Sequence, residues 1–176
     1  VHDTMIYKKM GGSPNIHHPR YTHCWEFMFV LSRGTPKAFN AARRRKNTTA
    51  GAVVQPKRKM QRNGEIKSFD VATTVTQEYS TDVNVWEYLV GKASGDKGMG
   101  EHSAYFPEAL ARDHILSWSN PGDVVLDPFA GSGTTLKMAK EHGRRYIGIE
   151  INPEYVAICE KRVAQGVLPL VPNVPV

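Results

Sequence analysis

The run Val124-Val125-Leu126-Asp127-Pro128-Phe129-Ala130-Gly131-Ser132-Gly133-Thr134-Thr135 constrains the fold more than any other stretch of the chain. An apolar segment ends in an acid and a proline, two glycines follow one residue apart, and a helix-compatible segment begins at once. The pattern predicts a buried strand, a sharp turn and a helix N-terminus, with Gly131 and Gly133 letting the backbone bend and approach a ligand closely. The amides of Thr134 and Thr135 would point at that ligand from the first helical turn, where they have no partner within the helix. A second strand is expected at 145–150, with Glu150 at its carboxyl end beside the first, the place where open α/β sheets bind ligands. A carboxylate there can accept both hydroxyls of a ribose.

What the loop lacks narrows the ligand. A dinucleotide fingerprint would put a third glycine where Leu136 stands, and a phosphate-binding loop would end in Gly-Lys-Ser/Thr. Neither is present. Asp127 ahead of the glycines suits a cofactor whose loop-facing end is a cationic amine and a carboxylate, and S-adenosylmethionine fits that description. A tight strand-to-helix turn that holds no ligand is the competing reading of the same residues.

Further segments extend the pattern. Glu101-His102-Ser103-Ala104-Tyr105-Phe106-Pro107-Glu108 precedes Gly122-Asp123, the glycine loop and Gly148-Ile149-Glu150-Ile151, while His2-Asp3-Thr4-Met5-Ile6-Tyr7-Lys8-Lys9 and the run from Arg20 through Trp25-Glu26-Phe27-Met28-Phe29-Val30 to Ser32 read as two strands and their connection. Together these resemble the DNA amino-methyltransferases, which modify adenine N6 or cytosine N4, over about two-thirds of the chain, with context agreeing with pattern. The resemblance implies a Rossmann-like α/β core dependent on S-adenosylmethionine. Phe129, Gly131 and Gly133, with Ser132 and Thr134, would wall the cofactor, Asp127 would lie near its amino end, and Glu150 would hold the ribose. His102, Ser103, Phe106 and Pro107 would belong to a second cofactor motif, which precedes the glycine loop in the circularly permuted subclass.

The same resemblance exposes a gap. The family's chemistry uses an Asp/Ser/Asn-Pro-Pro-aromatic loop, and no Pro-Pro pair occurs in this sequence, so no catalytic residue is assigned. In the permuted subclass that loop lies upstream of a segment like 2–9. The expectation is therefore a core lacking its N-terminal catalytic strand, completed by a missing N-terminal segment or a second chain. A catalytically inactive DNA- or cofactor-binding remnant is the alternative. Asn152-Pro153-Glu154-Tyr155 imitates the loop but is better read as a helix start, with Asn at the N-cap, Pro at the first helical position, and Tyr155, Ile158, Cys159 and Val163 on an apolar face.

Charge divides the chain. Residues 43–67 hold nine basic side chains, Arg43, Arg44, Arg45, Lys46, Lys57, Arg58, Lys59, Arg62 and Lys67, against one acid, Glu65, whereas the whole chain carries a formal charge of +6. The remainder is thus slightly acidic. A concentrated basic segment suits a phosphate backbone, and double-stranded DNA is the expected partner, with Arg43 to Lys46, Lys57, Arg58, Lys59 and Arg62 meeting it; an ordinary solvated face is the competing reading. The expected organisation is 1–40 as the first part of the core, 41–100 as a basic target-recognition insert, 101–166 as the cofactor-binding part, and 167–176 as a disordered tail. No apolar run approaches the roughly 18 residues of a membrane span. Cys24 and Cys159 stand alone in an expected strand and helix, which suits reduced thiols in a cytoplasmic protein without a metal site.

Overall fold

In a computed structural model, the protein is described at residues 1–11, 21–53, 58–60, 64–68, 75–90 and 107–164. In chain order its elements are β1 (Asp3–Met10), β2 (Trp25–Val30), β3 (Arg45–Lys46), β4 (Arg58–Met60), β5 (Ile66–Ser68), β6 (Tyr79–Ser80), β7 (Val85–Leu89), α1 (Glu108–Trp118), β8 (Val124–Asp127), α2 (Thr134–Glu141), β9 (Arg145–Gly148) and α3 (Pro153–Ala164). They fall into two compact units: Val1–Asn40 with Asn84–Val176, and Ala41–Val83.

Among the described residues, the first unit holds two small sheets. In one, β1 pairs antiparallel with β2, Met5 opposite Met28, and parallel with β7, Tyr7 opposite Trp86. Alternation along these strands sends Met5, Tyr7, Trp86 and Tyr88 to one face, where they pack with Leu110 of α1. Phe27, Phe29, Val85 and Leu89 lie on the opposite face and are exposed. The second sheet is the parallel pair β8 and β9, Val125 opposite Tyr146.

One helix serves both sheets. Leu110 joins the cluster on β1 and β7, while Ala111 and Ile115, on the neighbouring stripe, pack with Met138 and Ala139 of α2 and with Val125 of β8. The end of α1 is closed from a distance in sequence: the Asn40 amide donates to the carbonyls of Leu116 and Ser119, each at 3.0 Å. The buried Arg144 guanidinium adds a donor to Ser119 O at 2.6 Å. Helix-terminal carbonyls without partners within the helix are thereby satisfied.

The four strands expected of the core are present, as are the helices expected after the glycine loop and at Asn152-Pro153, with bounds shifted by one or two residues, and α1 stands beside them. Two expectations change. Residues 84–90 fall inside the expected basic insert, yet β7 pairs with β1, so the second compact unit ends at Val83. The alternation of Val85, Trp86, Glu87, Tyr88 and Leu89 is a visible strand pattern, but the strand's partner is not visible, because pairing across the chain leaves no local mark. On α3, Ile158 is exposed and Arg162 takes its place beside Cys159 and Val163 among the buried residues.

Candidate functional site

The glycine loop forms where β8 ends, and three sets of hydrogen bonds fix its path. Asp127 turns back on itself, its Oδ1 accepting the Phe129 amide at 3.0 Å. The backbone then crosses to the turn after β9, with Ile149 N donating to Asp127 O and Ala130 N to Ile149 O, both at 2.9 Å. Glu150 closes the pair of turns: its Oε2 accepts from Gly131 N and its Oε1 from Asn152 N, each at 2.8 Å. The carboxylate expected to hold a ribose is therefore locked in orientation by backbone donors of both loops, and each carboxylate oxygen has the capacity for more than one donor.

The two glycines do different work. Gly131, at φ +50°, would meet nothing nearer than Phe129 O at 3.9 Å if it carried a Cβ, so its surroundings leave space for a ligand. Gly133, at φ +83°, is the N-cap of α2; a Cβ there would collide with Cys159 Sγ and come within 3.1 Å of Cys159 Cβ. Gly133 thus lets α3 lie directly against the loop. Burial raises the Cys159 thiol's pKa, which keeps it protonated and inert as a packing group. The close helix–strand approach that a third loop glycine provides in dinucleotide folds is here supplied from the strand, since a Cβ on Gly148 would stand 2.5 Å from Leu136 Cδ2.

Of the expected cofactor residues, Asp127, Phe129, Gly131, Ser132, Gly133, Thr134 and Glu150 come together in these two turns. Phe129 is 88 % exposed, a ring with no packing role in the core. Pro107 stands immediately before α1 as its N-cap residue and is buried. His102, Ser103 and Phe106 lie outside the described residues. Asn152 behaves as a helix start, its Oδ1 accepting the Glu154 amide at 2.9 Å. Trp86, one of the aromatics able in principle to stack on a base, is buried in the core against His114, with ring centroids 4.8 Å apart.

Beneath the loop lies a charged group that none of the sequence motifs marks. Arg162 of α3 donates through Nη1 to Ser132 O at 2.9 Å, Ser132 Oγ at 2.8 Å and Thr134 Oγ1 at 3.3 Å, and through Nη2 to Glu108 Oε1 at 2.8 Å. Lys137 of α2 reaches both oxygens of the same carboxylate at 2.7 and 2.8 Å. The one signal in the sequence is a cation three residues after Cys159, on the apolar stripe of α3.

In the second unit, the basic residues Arg43, Arg44, Arg45 and Lys46 are exposed, and each meets a polar partner within the unit. Arg43 Nη1 donates to Gln77 Oε1, Arg44 Nε to Asp82 Oδ2 at 2.6 Å, Arg45 Nε to Ser80 Oγ at 3.3 Å, and Lys46 Nζ lies 3.9 Å from Glu78 Oε1. Lys57 and Arg62, and the side chains of Arg58 and Lys59, lie outside the described residues. Among the described residues, no helix is long and apolar enough to cross a membrane, and no three His, Cys, Asp or Glu side chains gather as a metal site would require.

The sequence profile of the DNA methylase family matches residues 1–161. The chain belongs to the DNA methylase family. Among its relatives, the orphan methyltransferase M.BamHII of Bacillus amyloliquefaciens is 41 % identical over 96 % of this chain and 64 % of its own length. The DNA adenine methyltransferase YhdJ of Escherichia coli (strain K12) is 48 % identical over 46 % of this chain and 27 % of its own length. A solved structure, the M1.HpyAVI–SAM complex, matches in fold with a TM-score of 0.58 at 24 % identity, over 92 % of this chain and 61 % of that one. This DNA methylase chain therefore spans under two-thirds of the length of M.BamHII, and its α/β architecture is that of the M1.HpyAVI protein.

Proposed function

We propose that this DNA methylase chain forms the cofactor-binding and DNA-facing part of an S-adenosylmethionine-dependent methyltransferase that modifies adenine N6 or cytosine N4 in duplex DNA. The observation that carries the reading is the Glu150 carboxylate, held by Gly131 N and Asn152 N beside an exposed Phe129 and an unobstructed Gly131. An acceptor oriented before binding loses little freedom when a ribose hydroxyl arrives. Asp127, Phe129, Gly131, Ser132, Gly133, Thr134 and Glu150 would hold the cofactor, with Pro107 and residues 102, 103 and 106 completing the site. Bound there, S-adenosylmethionine supplies a methyl group on a sulfonium. Phe129 would cover the adenosine with its ring, and the first-turn amides of α2 would face the methionine carboxylate.

The exocyclic amine of a base is a poor nucleophile, and it needs oxygen acceptors and an aromatic platform beside the methyl donor. In this reading an Asp/Ser/Asn-Pro-Pro-aromatic loop on a further strand-bearing segment, in the permuted order, provides them. Supporting that segment, neither β8 nor β2 has a second strand partner among the described residues, and Val124, Leu126, Phe27 and Phe29 stand exposed on these strands. An open apolar groove of about 530 Å³, lined by Leu110, Ile115, Trp118, Val124 and Val125, lies between α1 and β8. Unpaired strand edges and exposed apolar faces are surfaces that proteins ordinarily cover. The unit Ala41–Val83 is the proposed target-recognition region, on its exposed Arg43, Arg44, Arg45 and Lys46, and the free thiols Cys24 and Cys159 suit a cytoplasmic setting. A binding-only remnant is the second reading, favoured by the absence of any Pro-Pro pair from the sequence.

The test is tritium transfer from labelled S-adenosylmethionine to mixed-sequence duplex DNA, with this chain alone and with the remaining third of M.BamHII added as a separate polypeptide. Transfer only in the mixture supports the methyltransferase reading. No transfer in either, with cofactor binding intact, supports the binding-only reading.

A further inference from the structure

We propose that Glu108 and Arg162 are positioning residues for the cofactor loop, acting on S-adenosylmethionine affinity through Ser132 and Thr134. The proposal rests on the cofactor-loop reading above and adds residues to it. Arg162 donates to the loop through Nη1 and to Glu108 through Nη2: Nη1 lies 2.9 Å from Ser132 O and 2.8 Å from Ser132 Oγ, while Nη2 lies 2.8 Å from Glu108 Oε1. Only a planar fork of several donors can hold a carbonyl, two hydroxyls and a carboxylate at once. The guanidinium is deeply buried, at 8 % side-chain exposure, and the carboxylate nearly so, at 16 %. Loss of Glu108 would leave the Arg162 guanidinium a buried charge without its carboxylate.

The geometry couples three helices to one turn. Glu108 stands in the first turn of α1, immediately after Pro107. Lys137 of α2 holds the same carboxylate through both oxygens, and Arg162 comes from the last turn of α3. Ser132 lies between the two positive-φ glycines, whose own backbone torsions are soft. Its carbonyl is therefore a point at which the path of the turn, and with it the direction of the Gly131 amide and the first amides of α2, is set from outside the loop. The residues 102–106 of the second expected cofactor motif immediately precede Pro107 in sequence, so Glu108 sits at the junction of both motifs. Neither Glu108 nor Arg162 needs to touch the cofactor to act in this way.

Calorimetric titration of S-adenosylhomocysteine into the wild-type chain, Glu108→Gln, Arg162→Lys, the double variant and Glu150→Ala tests the proposal, with a ligand-free thermal melt for each. Glu108→Gln and Arg162→Lys are expected to weaken binding about tenfold, within the range over which separate groups couple, with unchanged stoichiometry. The double variant is expected to be little weaker than the worse single one, since the two residues act as a unit. Lowered melting temperatures with wild-type affinity in the folded fraction would overturn the proposal and leave a purely structural ion pair. Weakened binding by Glu150→Ala alongside unchanged binding by the other variants would likewise overturn it while sparing the cofactor site. Wild-type binding by Glu150→Ala would overturn the site reading on which it rests.

Discussion

The turn between β8 and α2 and the unit Ala41–Val83 are both rich in polar interactions, yet they are held in different ways. At the turn, atoms approach closely around the main chain: Gly133 sits against Cys159, Gly148 against Leu136, and the polar side chains that intervene, Glu150 and Arg162, each hold a main-chain atom of the turn. In Ala41–Val83 the paired strands β3 and β6 are two residues each, and the described basic residues meet their partners at the exposed surface. Close packing tolerates almost no added atom, whereas exposed ion pairs contribute little and rearrange freely. A rigid cofactor loop and an adaptable recognition surface are what those two kinds of interaction would provide.

The contrast breaks most readily at Gly133. Gly133→Val should lower unfolding stability by ~3 kcal/mol or more, because overpacking and a left-handed backbone at a branched residue add together; urea denaturation would measure it. Gly148→Ala should lose about 1–3 kcal/mol by overpacking, and the same substitution should cost less in a Leu136→Ala background than in the wild type, since the nearest obstacle is a side-chain end. If Gly148→Ala cost as much in the Leu136→Ala background as in the wild type, the close approach of Leu136 to Gly148 would not be the cause. At Gly131, where only the backbone objects, Gly131→Ala should cost about 1–2 kcal/mol of stability.

A pH effect sharpens the account of α1. His114 is half-buried between Trp86 and Met28, and burial lowers its pKa below the ordinary 6.5, more than Asp113 raises it. A group that is harder to protonate in the folded state supports folding fully above the unfolded pKa and progressively less as pH falls through the lowered folded value. Stability should therefore decline as the pH drops below 6.5, and His114→Gln should remove part of that decline in melts recorded across the range; His142, also lowered by burial, would account for some of the remainder. The smallest effect belongs to the exposed unit. Arg43→Ala, Arg44→Ala and Arg45→Ala should each alter stability by no more than about 0.5 kcal/mol, while the triple variant should flatten the salt dependence of duplex binding by roughly one unit of log–log slope for each phosphate no longer neutralised. An unchanged slope would make these arginines ordinary solvated charges.

The two regions also differ in how far they can be read from residues. Val124 to Thr135 announces strand, turn and helix because its constraints are local: glycines one residue apart and an apolar run of strand length each leave a mark within a few residues, as does the Asn152-Pro153 helix start nearby. Gly148 and Leu136 show no such mark, since their approach joins a strand to a helix residue twelve positions earlier. The charge of Arg162 says nothing of burial, and only the fold brings Ser132 and Glu108 to it. For β7 the alternation is evident, but the parallel partner far back at β1 is not. In Ala41–Val83, short strands with polar side chains carry little periodic signal, and the basic count alone does not say that Arg44 faces Asp82.

The central claim, that the cofactor occupies the turns after β8 and β9, is tested most directly by nuclear magnetic resonance on the chain labelled with ¹⁵N-glycine. Titration with S-adenosylhomocysteine should produce saturable shifts at the Gly131 and Gly133 amides and leave Gly34 and Gly51 unmoved. Saturable binding that left Gly131 and Gly133 unshifted, or that moved Gly51 instead, would contradict it.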